Sequence, residues 1–137
     1  MQALIDSNVI IDALTNREGA VEDERRILTF AAARMVFLGI SAKQITDIHY
    51  VLRKYIPDEE KRRQFLEALL RIFKVLPLDR DSLASALTSS CKDYEDAVLV
   101  ETCKNNNIPI IITNDKKIKE PGVKVLSPNE FLQTLAP

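Results

Sequence analysis

The chain has 137 residues, of which 46% are hydrophobic and 28% are charged, and its net charge is -1 at neutral pH. This length suits one domain with a proper hydrophobic core, so we expect a single domain over residues 1–137. The near-zero net charge excludes nucleic-acid binding through a global positive field, and any such binding must come from a local patch.

Scarce residue types exclude several mechanisms. With only three glycines, the chain has neither a P-loop nor a GxGxxG fingerprint, and it has no GxSxG motif. The single histidine, His49, rules out a two-histidine nuclease and a histidine-rich zinc site. Cys91 and Cys103 have no CxxC partner and read as free thiols of a reducing compartment. No signal peptide or membrane-spanning stretch is visible, so we expect a cytoplasmic protein whose chemistry depends on carboxylates.

The first half of the chain alternates apolar strands with amphipathic helices. Gln2–Ile5 is a strand ending in Asp6, and Ser7 or Asn8 caps the helix that follows. Further elements are predicted at Val21–Arg34 (helix), Met35–Ser41 (strand), Ala42–Tyr55 (helix), Asp58–Phe73 (helix) and Lys74–Pro77 (short strand).

The apolar stripe of the Ala42–Tyr55 helix includes Tyr55, which we therefore expect in the core. His49 lies at the edge of that stripe, and a hydrogen-bonded core position is its simplest interpretation. Asp47 points off the stripe, as a solvated residue would. In the next helix, the basic triplet Lys61–Arg63 is expected to face outward.

The second half continues the alternation. The predicted elements are helices at Asp81–Ser89 and from Asp93 to Asn105, strands at Ile108–Thr113 and Val123–Leu126, and a closing helix from Ser127 to Leu135. Ile108–Thr113 is apolar throughout, like strands that are buried on both faces. The Asp93 helix places Asp96, Val100 and Cys103 on one stripe, so Asp96 continues an apolar surface. The simpler interpretation of Asp93 is a helix N-cap.

Strands separated by helices imply a parallel sheet with helices on both faces, whose strands all end at one edge. Asp6 and Asp115 follow two such strand ends, and the helix that begins near Asp93 directly precedes the Asp115 strand. Its first turn, which carries Asp96, therefore reaches the same edge. Clustered carboxylates repel one another unless a cation lies between them, and oxygen ligands favour Mg²⁺ or Mn²⁺. Such a site suits phosphoryl chemistry.

Short motifs surround three of the aspartates: residues 4–12 contain Asp6, residues 92–97 contain Asp96, and residues 111–115 end in Asp115. These motifs resemble the PIN domain family, especially prokaryotic PIN proteins that include VapC-type toxins of toxin–antitoxin pairs. Residues 41–54 are also similar to the third helix of that group. The resemblance covers essentially the whole chain in the expected order. It implies a three-layer α/β/α fold and a metal-dependent ribonuclease acting on RNA, most simply single-stranded RNA.

The resemblance also implies roles for individual residues. Asp6, Asp96 and Asp115 would bind the metal with Asp93 beside them as an auxiliary acid, and Asn8 and Thr113 would hold ligands or the attacking water. The family usually has a glutamate in its third helix, and the nearest acid here is Asp47, which is one methylene shorter. Basic residues near these acids would bind RNA phosphates, although an ordinary charged surface is an equal alternative: Lys116, Lys117, Lys119, Arg53 and Lys54.

Alternatives to a ribonuclease remain. A phosphoacceptor receiver domain would need an acidic pair after its first strand, and a haloacid-dehalogenase-like phosphatase would need an aspartate where Asn8 stands. The more serious alternative is a PIN-like module that binds RNA or a protein partner without cleaving, which the substitution at Asp47 favours. The family likeness further implies an antitoxin partner that occupies the acidic cleft, and a homodimer.

Overall fold

A parallel five-stranded sheet forms the centre of the computed structural model, which describes residues 2–15, 21–115, 118 and 122–135. Its strands lie in the order β3-β2-β1-β4-β5. Their bounds are β1 (Gln2–Ile5), β2 (Phe37–Ser41), β3 (Lys74–Leu76), β4 (Ile110–Ile112) and β5 (Lys124–Leu126).

Helices connect the strands from β1 to β4 and cover both faces of the sheet. In the described part of the chain they are α1 (Ser7–Thr15), α2 (Val21–Ala32), α3 (Ala42–Leu52), α4 (Glu59–Ile72), α5 (Arg80–Ala86), α6 (Tyr94–Asn105) and α7 (Pro128–Leu135). None of these helices is long and apolar enough to cross a membrane.

Alternate residues of the central strands point to different layers. Ala3 and Ile5 of β1 face a large core built with helices α1 to α4 and α7, whereas Leu4 faces a smaller core that contains Val100 and Cys103 of α6. This alternation is the two-residue period of a β-strand, and both faces are apolar because both are covered. The predicted three-layer α/β/α fold with a parallel sheet is confirmed.

The direction in which the chain adds strands to the sheet reverses at β1, the middle strand. From β1 the chain winds outward through β2 and β3, and it then crosses to β4 and β5 on the other side of β1. The neighbours β1 and β4 therefore flank a topological switch point, where a crevice opens at the carboxyl ends of the strands. Asp6 and Thr113 are the first residues after these two strands.

Three expectations about the region after β2 were wrong. Helix α3 ends at Leu52, and Tyr55 is 43% exposed rather than in the core. Beyond Leu52 the backbone N–H groups of residues 53–55 donate to carbonyls three residues back, as in a 3₁₀ turn, so the α-helical pattern stops there. Arg62 does not face outward: it is buried, and its guanidinium donates to the carbonyls of Ile56 and Pro57 at 2.6 and 2.9 Å.

His49 is hydrogen-bonded, as expected, but it lies outside the core. Its Nε2 is 2.8 Å from a carboxylate oxygen of Glu59, and its side chain is 31% exposed. Glu59 also binds Arg62 and Arg63. Hydrogen bonds from His49, Arg62 and Arg63 hold the pKa of Glu59 well below its usual value, at about 2. His49 therefore belongs to a charged cluster that joins α3 to the start of α4.

Candidate functional site

Asp6 is fixed at the end of β1 by residues from the neighbouring strand. Its backbone N–H donates to the Ile112 carbonyl at 2.9 Å, so β1–β4 pairing continues up to this residue. The hydroxyl of buried Thr113 donates to Asp6 Oδ2 at 2.7 Å, and Asn8 Nδ2 lies 3.4 Å from the same oxygen. The structure thus brings Asp6, Asn8 and Thr113 together.

Thr113 also connects Asp6 to Asp115. The backbone N–H of Asp115 donates to the Thr113 hydroxyl at 2.9 Å, while that hydroxyl donates its own proton to Asp6. The Thr113 N–H in turn donates to the Leu126 carbonyl of β5 at 2.9 Å. One hydroxyl therefore sets the spacing between the two strand ends that carry these aspartates.

Asn114 anchors the same turn from the other side. Its Nδ2 donates to Asp12 at 2.9 Å and to Glu24 at 2.7 Å, two buried acids on α1 and α2. Sequence reasoning missed both acids. The available signal was an aspartate inside the apolar segment of α1, since an ionised side chain is rarely buried without partners.

Gln44 holds the residues on both sides of Asp6. Its Nε2 donates to the Ile5 carbonyl at 2.9 Å and to Ser7 Oγ at 3.2 Å, and its Oε1 accepts from the Ser41 N–H at 2.7 Å. Every polar atom of this buried amide is therefore used. The Ser41–Gln44 spacing is that of a capping box, which is visible in the sequence, but the two contacts to the Asp6 segment are not.

Asp93 and Asp96 occupy the start of α6, as the sequence predicts. Asp93 is an exposed N-cap whose carboxylate accepts from the N–H groups of Glu95 and Asp96 at 2.8 and 3.3 Å. The N-cap interpretation of Asp93 is therefore confirmed. Asp96 is half-buried one turn above Val100, which is fully buried.

The acids at this edge influence one another. The pKa of Asp96 is raised to about 6, first by burial and then by the negative charges of nearby acids, which are, in decreasing order, Asp93, Asp6, Asp115 and Glu95. Burial also raises the pKa of Asp6, with a smaller contribution from the Asp115 charge, while hydrogen bonds from Thr113, Ser7 and Asn8 oppose the shift. Acids from three separate segments thus lie within electrostatic range of one another.

Asp47 is exposed on α3 and paired with a lysine. Lys43, one turn earlier, places its Nζ 2.7 Å from Asp47 Oδ2 and 3.5 Å from a carboxylate oxygen of Glu95 on α6. Asp47 and Asp96 both line a cavity of about 300 Å³ that lies between these two helices and the end of β1. Sequence reasoning did not single out Lys43, although its i to i+4 spacing to Asp47 is a recognisable ion-pair signal.

The predicted RNA-binding residues fall into two groups. Arg53 and Lys54 are exposed just after α3, and the Arg53 guanidinium lies 5.6 Å from the centre of the Tyr50 ring. Lys116, Lys117 and Lys119 lie outside the described residues.

The donor set at this edge consists of carboxylate, hydroxyl and amide oxygens, which suits a hard divalent cation. In the part of the chain that the structure describes, however, no three His, Cys, Asp or Glu side chains are grouped so that they could hold a metal ion as they stand. The acids are therefore neighbours whose charges interact rather than a closed coordination shell. The site fits an ion that keeps several water ligands, as Mg²⁺ does.

The sequence profile of the PIN domain family matches residues 2–117. The chain belongs to the PIN domain family. The family resemblance seen in the sequence is thereby confirmed, and the site described above lies within the matched residues.

Individual relatives agree with this assignment. Ribonuclease VapC1 of Aquifex aeolicus (strain VF5) is 25% identical over 137 residues, covering 96% of this chain and 94% of the relative. The fold is similar to VapBC2 from Rickettsia felis, solved bound to a promoter DNA fragment, with a TM-score of 0.71, 14% identity and coverage of 93% and 98% of the two chains. It is also similar to a toxin–antitoxin complex from Klebsiella pneumoniae, with a TM-score of 0.67, 23% identity and coverage of 92% and 97%.

Proposed function

We propose that residues 1–137 form one PIN domain that acts as a Mg²⁺- or Mn²⁺-dependent endoribonuclease. The observation that carries this proposal is the placement of three acids at the switch point of the sheet: Asp6 and Asp96 line one cavity, and one hydroxyl, that of Thr113, hydrogen-bonds to both Asp6 and the Asp115 N–H. Acids held together in this way gain most from a divalent cation, because it removes their mutual repulsion. The ribonuclease relative from Aquifex aeolicus supports the same conclusion.

Each acid has a distinct part in the proposed site. Asp6, Asp96 and Asp115 hold the ion, Asp93 adds negative charge beside them, and Asp47 is a further acid on the opposite wall. Thr113 and Asn8 orient the Asp6 carboxylate and can hydrogen-bond a water next to it. The bound ion supplies Lewis acidity at a phosphate oxygen. No side-chain nucleophile is then needed.

RNA is the proposed substrate, in single-stranded form, and basic residues of the chain neutralise its phosphates. Arg53 and Lys54 are exposed for this purpose, and Lys116, Lys117 and Lys119 follow Asp115 directly in the sequence. Binding of this kind weakens as the salt concentration rises.

The chain is further proposed to be the toxin of a toxin–antitoxin pair in the cytoplasm. Its structural relatives include the toxin–antitoxin complexes from Rickettsia felis and Klebsiella pneumoniae. An antitoxin segment that offers an arginine to the acidic edge would pair with Asp6 and Asp96, since guanidinium groups bind carboxylates in a bidentate way. We also propose that the chain forms a homodimer.

The test of the enzymatic activity is cleavage of single-stranded RNA in Mn²⁺ by wild type and by Asp96→Asn. We expect the substitution to remove most activity, by roughly a hundredfold or more, because it deletes a charged ligand where the cation binds. Asp81→Asn is the matched control, because Asp81 is an exposed acid in the first turn of α5 and is not among the residues that line the cavity with Asp6 and Asp96. Gel analysis of the RNA products gives the rates.

The Lys43–Asp47 ion pair favours a second candidate function, a PIN module that binds RNA or protein without cleaving. An acid already paired with lysine is a poorer metal ligand than an unpaired one. Wild-type protein that is folded, binds RNA and leaves it intact in Mn²⁺ would establish this second function and overturn the first.

A further inference from the structure

Lys43 is the one positively charged side chain among the described residues that line the cavity between α3 and α6. Four acids share this lining: Asp6, Asp47, Glu95 and Asp96. An RNA phosphate that approaches the cavity therefore meets a wall of like charge, and a divalent ion deeper in the site offsets only part of it. A positive charge at the entrance of the cavity would reduce the repulsion between these acids and the approaching phosphate.

The ion pairs of Lys43 hold its ammonium group across the entrance without fixing it there. Nζ is 2.7 Å from Asp47 on its own helix and 3.5 Å from Glu95 on α6, so it spans the two walls. The side chains of Asp47 and Glu95 are 49% and 75% exposed. Ion pairs at such exposed positions are weak, so the ammonium can exchange a carboxylate for a phosphate at small cost.

The side chain keeps its charge in this position. The hydrogen bond to Asp47 raises the pKa of Lys43, partial burial opposes that shift, and the negative charges of Asp47 and Glu95 add to it. The preceding residue, Ala42, begins α3 directly after β2, which places Lys43 at the carboxyl edge of the sheet. Arg53 lies ten residues farther along, which is about 15 Å of helix rise. Lys43 thus lies closer to the strand ends than Arg53, which directly follows α3.

We propose that Lys43 is a substrate-binding residue whose ammonium group contacts an RNA phosphate adjacent to the cleaved one, at the entrance between α3 and α6. The proposal deepens the proposed ribonuclease function and rests on it for the identity of the ligand. Asp47 and Glu95 position the ammonium group before RNA binds. Neither acid needs to coordinate metal for this role.

The test is equilibrium binding of a fluorescein-labelled, single-stranded RNA with nuclease-resistant phosphorothioate linkages, followed by fluorescence anisotropy in Mn²⁺ over a range of KCl concentrations. Loss of one phosphate contact weakens binding and lowers the slope of log Kd against log salt by about 1. We expect Lys43→Met to raise Kd several-fold with this change of slope. Lys43→Arg, which keeps the charge, should retain most of the affinity.

Lys74→Met is the matched control, because Lys74 is an exposed lysine at the amino end of β3, on the opposite edge of the sheet. A Lys43→Met protein with wild-type Kd and salt slope would overturn the proposal. Equal losses in Lys43→Met and Lys74→Met would also overturn it, since they would indicate a general charge effect. Calorimetric Mn²⁺ binding should persist in Lys43→Met, and its loss would point to a metal-site role instead.

The same samples separate this inference from the proposed function. If wild type binds the resistant RNA with the Lys43 dependence but does not cleave unmodified RNA in Mn²⁺, the ribonuclease proposal fails and the Lys43 contact stands. If wild type cleaves RNA and Lys43→Met binds it normally, the activity stands and the Lys43 contact fails.

Discussion

At the carboxyl edge of the sheet, the burial of individual aspartates makes their ionised form less favourable. Asp96 is half-buried, and burial together with the charges of four nearby acids raises its pKa to about 6, compared with 3.8 for an isolated aspartate. The folded metal-free protein therefore holds the Asp96 proton more tightly than the unfolded chain does. Below 3.8 both states are protonated and Asp96 has no electrostatic cost. Between pH 3.8 and about 6 the unfolded chain has lost this proton while the folded protein still holds it, so stability falls over this range and levels off above it, where both states are ionised.

The raised pKa of Asp96 gives a prediction for metal-free protein in EDTA. Asp96→Asn removes the titration, so its melting temperature relative to wild type should rise as the pH increases from below 3.8 to above 6. Calorimetry of both proteins across this range measures the difference, with Asp81→Asn as the control. A difference that does not change with pH would show that Asp96 ionises in the folded protein as it does in the unfolded chain.

At the scale of elements, amide side chains hold the strand ends that carry the acids. Gln44 of α3 binds residues on both sides of Asp6, and Asn114 binds acids of α1 and α2. Each amide joins segments that are far apart in the sequence, and helix or strand periodicity does not predict such a contact. The acids are thereby presented on short turns whose backbone is fixed by neighbouring helices, an arrangement that lowers the entropic cost of gathering them around an ion.

We predict that Gln44→Leu weakens Mn²⁺ binding as well as the fold. It removes three hydrogen bonds and leaves buried backbone groups without their partners, for a cost of about 2–4 kcal/mol. Asn105→Ala is the control, because it deletes an amide contact of similar kind, 2.9 Å from Ser82 Oγ, at the far end of α6. Calorimetric titration of Mn²⁺ should show a higher Kd in Gln44→Leu alone. Equal Mn²⁺ affinities in Gln44→Leu and Asn105→Ala would show that Gln44 stabilises the fold without contributing to metal binding.

For the whole molecule, metal binding and folding should be linked. An ion that binds only the folded chain adds about 2.7 kcal/mol at a hundredfold excess over its Kd. For a chain of this size that corresponds to a rise in Tm of roughly 5–10 °C. We expect Mn²⁺ to produce this rise in wild type, EDTA to reverse it, and Asp6→Asn to abolish it. An equal rise in Asp6→Asn would place the ion elsewhere on the protein.

The sequence by itself determined the order of the elements and the parallel sheet with helices on both faces, because strand and helix periods are local properties. The predicted strands β1 and β5 match the structure to within a residue. The aspartates at strand ends were visible for the same reason. The likeness to the PIN family rested instead on short motifs around Asp6, Asp96 and Asp115. Helix ends were less certain, as Tyr55 and Arg62 show, since caps and buried cations depend on what packs against them.

Only the tertiary structure decided how the acids are held in place and that the ammonium group of Lys43 lies beside them. Thr113 binds Asp6 across 107 positions in the chain, and Gln44 binds Ile5 across 39. The bridge from Lys43 to Glu95 likewise spans two helices that are far apart in sequence. No local pattern encodes such contacts, because they depend on the crossover connections that bring β1, α3 and α6 to one edge of the sheet.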